Sequence, residues 1–317
     1  MEYVLILSVT FVAFALNILN RYKISKFLKI IDYPDKKRKI HKSPIPLNGA
    51  LWFPIYLILI LIYFFLYENE FESIIFYISI ISLTLFLIGM LDDSISLNPN
   101  YRLLIFFLIF VLFFETNNEF RIKEIYFESL DFNISLNIFS SVFTAFCLTA
   151  FINSINLVDG INALANAIIL IILSTLYLNF EINNFFILII IIYLIINNYF
   201  IYKNYYFLGD AGSLGLSTFV GLYVIYIYNV NFDSNLNLLK SEDIFILMSF
   251  PGLDMLRVFI SRILRKKSPF IGEKNHLHHF LIKKYSLKIT LTLYLSFMLI
   301  PIILNFFVNI YASYNLL

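Results

Sequence analysis

The sequence predicts an all-α, polytopic integral membrane protein with about ten transmembrane helices, organised as a single domain over residues 1–317. Composition is the first reason. Sixty per cent of the 317 residues are hydrophobic and only 14% are charged, where an ordinary soluble domain carries about 25% charged residues. The second is distribution: the apolar residues fall into ten runs, most close to the ~20 residues a helix needs to cross the hydrocarbon layer. The same figures exclude a disordered chain, which requires low hydrophobicity and a high net charge; here the net charge is +2. The one cysteine, Cys147, excludes a disulfide framework and a thiolate cluster. Lying in an apolar run, it reads as a small buried hydrophobe.

The runs are 3–19, 47–67, 73–91, 102–114, 138–157, 161–180, 185–202, 211–230, 244–262 and 289–310. The first is too long, and too soon followed by others, for a cleaved signal peptide, and no A-x-A-like site follows it. The fourth is the shortest. Between the runs the longest polar stretches are 20–46, 115–137 and 263–288. Within the second of these, segment 120–136 partly alternates apolar and polar residues, which predicts a small hairpin. No internal repeat of the kind that builds many transporters is visible.

Loop charges predict the orientation. With both termini outside, the inner side carries nineteen Lys/Arg and seven acids, and the outer side three Lys/Arg and thirteen acids. The expectation is a multi-pass protein of the inner (plasma) membrane with a strongly basic cytoplasmic face. The lipid bilayer is its first partner, and no nucleic-acid partner is expected. Few small-xxx-small patterns occur, so a homodimer is left open without a marked face.

Four of the acids on that inner side fall at helix ends: Asp92 and Asp93 in GMLDDSISLNP, Asp159 in NSINLVDGINALA, and Asp210 in FLGDAGSLGLS. Asp254 and Arg257 lie near the inner end of the ninth run, followed by SPFIGEKNHLHHF. Carboxylates at the ends of apolar helices are costly and need a cation or a partner. Each alone could mark a helix end; their gathering on one face points to a shared site. Asn153, Asn156 and Asp159 are spaced by three, so they share a helix face. Two carboxamides and a carboxylate suit a hard, oxygen-ligated cation such as Mg²⁺, with Mn²⁺ an alternative. Gly160 permits a tight break into the next helix. GDAGS places two glycines, Gly209 and Gly212, around Asp210 at a helix start, where exposed N–H groups favour an anion. Asp254 and Arg257 read equally as an internal ion pair or as a substrate contact. His276, His278 and His279 could be transition-metal ligands, but the carboxylates elsewhere favour hydrogen bonds to sugar or phosphate. A carboxylate cluster with a hard ion and a cationic rim suits phosphoryl transfer, and its place at the bilayer edge suits a lipid phosphate as one substrate.

At these motifs the sequence resembles the polyprenyl-phosphate N-acetylhexosamine-1-phosphate transferases. The matching segments, from about Asp32 to His279, are DYPDKKRKIHKSPIPLNGA, GMLDDSISLNPNYR, NSINLVDGINALA, FLGDAGSLG, DMLRVFISR and SPFIGEKNHLHHF. The resemblance implies transfer of a sugar-1-phosphate from a UDP-N-acetylhexosamine to undecaprenyl phosphate, releasing UMP. It implies Asp210 as the Mg²⁺-binding aspartate with Asn156 near or on the metal. It also implies Asp92 and Asp93 as acids that accept the lipid phosphate's proton or organise the site, and Asp159 as a further essential acid near the nucleotide. Asn153, Lys39, His41, Gly209, Ser213, Arg257, His276, His278 and His279 would bind substrate. KKRKIHKSPIPLNGA and the His-X-His-His segment are nearer the UDP-GlcNAc branch, which begins O-antigen and related cell-surface polysaccharides, than the phospho-MurNAc-pentapeptide branch of peptidoglycan synthesis. Gly49-Ala50 in place of Gly-Gly, and Glu273 in place of Asp, are departures on the donor side. Attack in one step and a two-step route through Asp92 or Asp93 both stay open. A secondary transporter with acidic coupling sites and an inactive scaffold are the alternatives of other classes. The clustering of acids at one face and the intact Asp92, Asp93, Asp159 and Asp210 weigh against them.

Overall fold

The computed structural model describes residues 2–34, 43–67, 74–179, 185–234, 239–266 and 275–315. Its helices are α1 (Glu2–Leu28), α2 (Trp52–Tyr67), α3 (Ile74–Ile95), α4 (Pro99–Thr116), α5 (Ser140–Val158), α6 (Leu164–Asn179), α7 (Phe185–Tyr202), α8 (Gly209–Ser234), α9 (Ser241–Leu264), α10 (Leu277–Lys284) and α11 (Leu287–Asn315). Two small antiparallel pairs complete the described residues: β1 (Ile31–Asp32) with β2 (Ile45–Pro46), and β3 (Glu124–Phe127) with β4 (Phe132–Ser135). Eight of the helices are long and apolar enough to cross a membrane, and Trp52–Leu66 and Leu164–Leu178 are shorter apolar helices. This is the all-α polytopic architecture. In hydrocarbon every backbone polar group must be satisfied within the chain, which leaves helices as the natural form for these runs.

Each of the ten predicted runs holds a helix, though those of 47–67 and 161–180 start only at Trp52 and Leu164. The first continues past its predicted edge, through Arg21, Lys23 and Lys26, to Leu28, with non-helical backbone at Asn20 (φ −109°, ψ 16°) where the charged part begins. Long basic side chains can lie along apolar surface and keep their charges in water, so a helix need not stop where its charges start. The Arg21 guanidinium stacks on Tyr205, 4.8 Å from the ring centroid. The hairpin predicted over 120–136 is β3–β4, in register from Glu124 opposite Ser135 to Phe127 opposite Phe132. Large apolar side chains such as Leu19, Phe27, Leu112, Phe146 and Leu264 are exposed along the helices. In water such surface would drive aggregation; facing lipid it is the expected exterior.

Two compact units divide the chain: Met1–Phe106 with Ile155–Tyr223, and Phe107–Ser154 with Val224–Leu317. The core of the first is aromatic. Trp52 stacks on Tyr193 with centroids 5.0 Å apart, Phe53 meets Phe219 edge-on, and the buried Tyr56 hydroxyl donates to the Phe186 carbonyl at 2.6 Å. A buried polar chain runs beside them. Tyr206 Oη donates to Asn197 Oδ1 (2.9 Å), and Asn197 Nδ2 to Asn166 Oδ1 (3.1 Å). It anchors the segment leading into α8. Phe207 in that segment donates its N–H to the Pro46 carbonyl (2.8 Å) and accepts the Gly49 N–H (2.9 Å). In the second unit, Phe250 packs edge-on to Tyr294. Tyr228 Oη donates to the Glu124 carbonyl (2.9 Å), holding the β3–β4 hairpin.

Candidate active site

Within the first unit the ends of four helices bring the acids together. Helix α3 ends in Asp92 and Asp93. At Gly89 a Cβ would meet Asp210 O and Ala211 Cα, each at 2.6 Å, so only glycine lets α3 lie backbone to backbone against the start of α8. Asp93 then caps α8: its Oδ1 accepts the Asp210 N–H (2.9 Å) and its Oδ2 the Ala211 N–H (3.0 Å). This is the helix N-terminal anion interaction, supplied by a neighbouring helix. Gly209 makes the turn at φ +77°, and a Cβ there would sit 2.8 Å from Asp93 Oδ2.

Asp92 is buried and both of its oxygens are engaged. Oδ1 accepts the Leu97 N–H (2.6 Å), closing the α3–α4 turn, and Oδ2 accepts Arg102 Nη1. Asn98 caps α4 by accepting the Asn100 N–H (3.0 Å), with Pro99 in the first helical position; both choices suit a helix start. That turn aims Arg102 at the cluster. Its Nη1 also reaches Asp210 Oδ2 (3.2 Å) and its Nη2 donates to Asn156 Oδ1 (3.0 Å). Asn156 Nδ2 in turn donates to Asp210 Oδ1 (2.5 Å) and Ser213 Oγ (2.9 Å). The result is a closed network of two aspartates, one asparagine, one arginine and one serine.

Asp159 follows α5 in the turn toward α6, with its N–H on the Asn156 carbonyl (3.2 Å). Burial, then the Asp210 and Asp93 charges, raise its carboxyl well above the ordinary aspartate range, opposed by the Gly209 N–H. The tight break after it differs from expectation. The chain turns over residues 159–163, and the left-handed residue is Ala163 (φ 68°), not Gly160. Asn153, one helical turn before Asn156, donates instead to the Met255 thioether sulfur (3.3 Å).

In the second unit Asp254 of α9 caps α10. Both of its oxygens accept the Leu277 N–H (3.2 and 3.1 Å), and Oδ2 faces His276 Nδ1 (3.1 Å). Arg257 donates to Asp254 Oδ1 (2.7 Å) and to the Asn275 carbonyl (2.6 Å), so the Asp254–Arg257 ion pair forms. The three histidines gather. The His278 ring lies 4.1 Å from His279 and 5.5 Å from His276, centroid to centroid. His278 is buried, and burial first, with His279 and His276 beside it, holds its pKa down at about 3. His276 Nε2, both ring nitrogens of His278 and the Tyr294 hydroxyl are buried without a hydrogen-bond partner among the described residues.

Lys39 and His41, and the departure at Glu273, lie outside the described residues. Arg102, which the sequence reading counted only as an inner-side charge, is the residue missed. A lone basic residue on the first turn of an apolar helix, ten positions after paired aspartates, is the pattern that marks it.

The donor chemistry of the first cluster fits a hard divalent ion. Asp92 Oδ2, Asp210 Oδ2 and Asn156 Oδ1 are all hard oxygens and all face one cationic group. Among the described residues no three His, Cys, Asp or Glu side chains close on a common metal position; the set is two carboxylates and a carboxamide.

Comparison with known proteins matches residues 75–228 to the model described as glycosyl transferase family 4. The matched segment contains the whole of the first cluster and ends before Asp254 and the histidines. Among full-length relatives, the chain is 26% identical to the undecaprenyl-phosphate alpha-N-acetylglucosaminyl 1-phosphate transferase of Thermotoga maritima over 279 residues, 87% of this chain and 80% of that protein. It is 24% identical to the enzyme of the same name from Escherichia coli O157:H7 over 276 residues, 82% of this chain and 71% of that protein. It is 31% identical to the phospho-N-acetylmuramoyl-pentapeptide-transferase of Streptococcus pneumoniae serotype 19F over 153 residues, 45% of each chain.

Proposed function

We propose that this membrane enzyme transfers an N-acetylhexosamine-1-phosphate, GlcNAc-1-phosphate in the first instance, from a UDP-sugar to undecaprenyl phosphate. The products are undecaprenyl-diphospho-sugar and UMP, and the reaction opens assembly of a cell-surface polysaccharide. The observation that carries the reading is that oxygens of Asp92, Asp210 and Asn156 all bond one guanidinium, that of Arg102, inside the segment matched to the family 4 model. The two relatives named for GlcNAc-1-phosphate transfer align over most of this chain, and the pentapeptide transferase over under half, which supports the GlcNAc branch.

Asp210 and Asn156 would hold Mg²⁺, with Asp92 adjoining. Such an ion, when bound, neutralises the diphosphate and lowers the cost of charge on the leaving UMP. The chain's own groups do the rest. Asp93 holds the start of α8, and with it Asp210, in place. Asp159, whose carboxyl is raised above the ordinary aspartate range, is the group proposed to exchange a proton or a hydrogen bond on the nucleotide side. The lipid phosphate oxygen attacks the donor's sugar-bearing phosphorus directly. The new P–O bond forms as the bond to the UMP oxygen breaks. Both oxygens of Asp92 and both of Asp93 are already committed to hydrogen bonds, which favours this one-step route over a phospho-enzyme. His276, His278 and Arg257 recognise donor oxygens. The basic loops are proposed to face the cytoplasm, where the anionic donor arrives.

The test is incubation of purified full-length protein with undecaprenyl phosphate, Mg²⁺ and a panel of UDP-sugars that includes UDP-MurNAc-pentapeptide, followed by UMP assay and mass of the lipid product. UMP with a HexNAc diphospholipid is expected. No UMP from any donor overturns the reading, and product from the pentapeptide donor alone moves the chain to the other branch.

A further inference from the structure

The guanidinium of Arg102 stands where three oxygens of the first cluster meet. It touches Asp92 Oδ2, Asp210 Oδ2 at 3.2 Å and Asn156 Oδ1 at 3.0 Å. Only 11% of its side chain is exposed. These are the oxygens a hard divalent ion would require, and one position cannot hold both cations. A positive charge is nonetheless needed there at all times. Two carboxylates brought this close repel each other and resist ionisation unless a cation lies between them.

The fit of Arg102 is incomplete. Arginine binds carboxylate best through a parallel fork of two N–H groups on one partner. Here Nη1 and Nη2 are spread over three residues, and the Nε–H is buried without a partner among the described residues. Leaving the position would free that buried donor to find an acceptor. Such a group is suited to being exchanged, and a released guanidinium matches phosphate geometry.

We propose that Arg102 is the resident cation of the cluster: it holds Asp92, Asp210 and Asn156 together until a divalent ion takes their oxygens, and the released guanidinium then pairs with a substrate phosphate. This rests on the metal reading above. Arg102 is in that sense a positioning residue in the substrate-free protein, and it competes with the metal for the oxygens that hold both. The arrangement couples the two halves of loading, since the metal's arrival is what frees a phosphate-binding group.

The test measures Mn²⁺ binding to detergent-purified full-length protein, without substrates, by electron paramagnetic resonance. Wild type, Arg102→Met, Arg102→Lys and Asp210→Asn are compared, and thermal unfolding is followed in EDTA and in Mn²⁺. Removing the competitor should tighten Mn²⁺ binding, by roughly tenfold in Arg102→Met for one lost ion-pair contact. The effect should be smaller in Arg102→Lys, whose single ammonium cannot span three oxygens. In EDTA, Arg102→Met should unfold at a lower temperature than wild type, and Mn²⁺ should raise its midpoint by more. Should Arg102→Met fail to fold, Arg102→Lys decides by the same comparison. Asp210-dependent Mn²⁺ binding that is equal or weaker without Arg102 overturns the inference and leaves the metal reading standing. Absence of Asp210-dependent binding in every protein overturns both.

Discussion

The same device appears twice in this chain, with different surroundings. Asp93 caps α8 by accepting two backbone N–H groups, and Asp254 caps α10 by accepting one on both oxygens. Around Asp93 the polar groups close on one another, from Asp92 through Arg102 and Asn156 to Ser213, with the Arg102 Nε–H left without a partner among the described residues. Around Asp254 they do not: His276 Nε2, both nitrogens of His278 and the Tyr294 hydroxyl lack partners among the described residues. A buried polar group without a partner is costly, and a closed network holds its own geometry. The first cluster is therefore already assembled, and the second has donors and acceptors to spare for something bound.

Substitutions can break that contrast. The largest effect is expected for Asp210→Asn, which removes a carboxylate oxygen from the proposed cation position. Mg²⁺-dependent UMP release should fall by at least about 10³-fold, the scale of several kcal/mol of charge stabilisation. Retained turnover would show that the closed network does not hold the metal. Asp93→Ala comes next. It leaves two N–H groups of α8 uncapped, for about 1–2 kcal/mol of stability, and turnover should drop by about 10² because Asp210 moves. Asp93→Asn, keeping one acceptor, should recover part of both. Equal losses in the two variants would instead make Asp93 a reacting acid.

The histidine cluster predicts a pH effect of known sign. His278 has a folded pKa of about 3 against about 6.5 in the unfolded chain. Its contribution is full above about pH 6.5 and is lost as pH falls through that window, because the unfolded chain takes up the proton first. The slope is at most about 1.4 kcal/mol per pH unit. Wild type should lose midpoint temperature between pH 7 and 5 more steeply than His278→Gln; parallel curves would place His278 in a wetter setting. The smallest effect is at Tyr294. Tyr294→Phe removes a hydroxyl with no partner among the described residues and should change stability by no more than about 0.5 kcal/mol. Ser213→Ala, which strips a partner from Asn156, should cost about 1 kcal/mol.

Much of this was legible beforehand, for physical reasons. Lipid forces the apolar runs into helices, so all ten were visible, and the partial alternation of 120–136 marked its hairpin. The β1–β2 pair was not: two residues on each side, joined across a polar stretch, leave no periodicity to read. Nor was the end of α1, where Arg21, Lys23 and Lys26 look like a loop but continue the helix. In the site, Asp92, Asp93, Asn156 and Asp210 announced themselves as polar groups at helix ends. Arg102 did not, because one basic residue beside a membrane is also what topology demands. Spacing placed Asn153 on the stripe of Asn156, but which neighbour it meets is a matter of tertiary packing, and Met255 is the one found.

Helix α8 carries one more consequence. Its span Gly209–Val230 is the least apolar of the eight membrane candidates, with a mean hydropathy of 1.4, yet it is 94% buried, far more than any other. A segment that meets protein nearly everywhere has little need of lipid-loving side chains, and α8 uses its freedom for Asp210, Ser213, Ser217 and Thr218. During synthesis, however, the insertion machinery meets each segment before the fold exists and weighs its hydrophobicity alone. Excised and placed in a host leader protein, α8 should insert least efficiently of the eight, and restoring α7 ahead of it should recover insertion. The helix that carries the proposed metal aspartate would then enter the membrane only in the company of its neighbours.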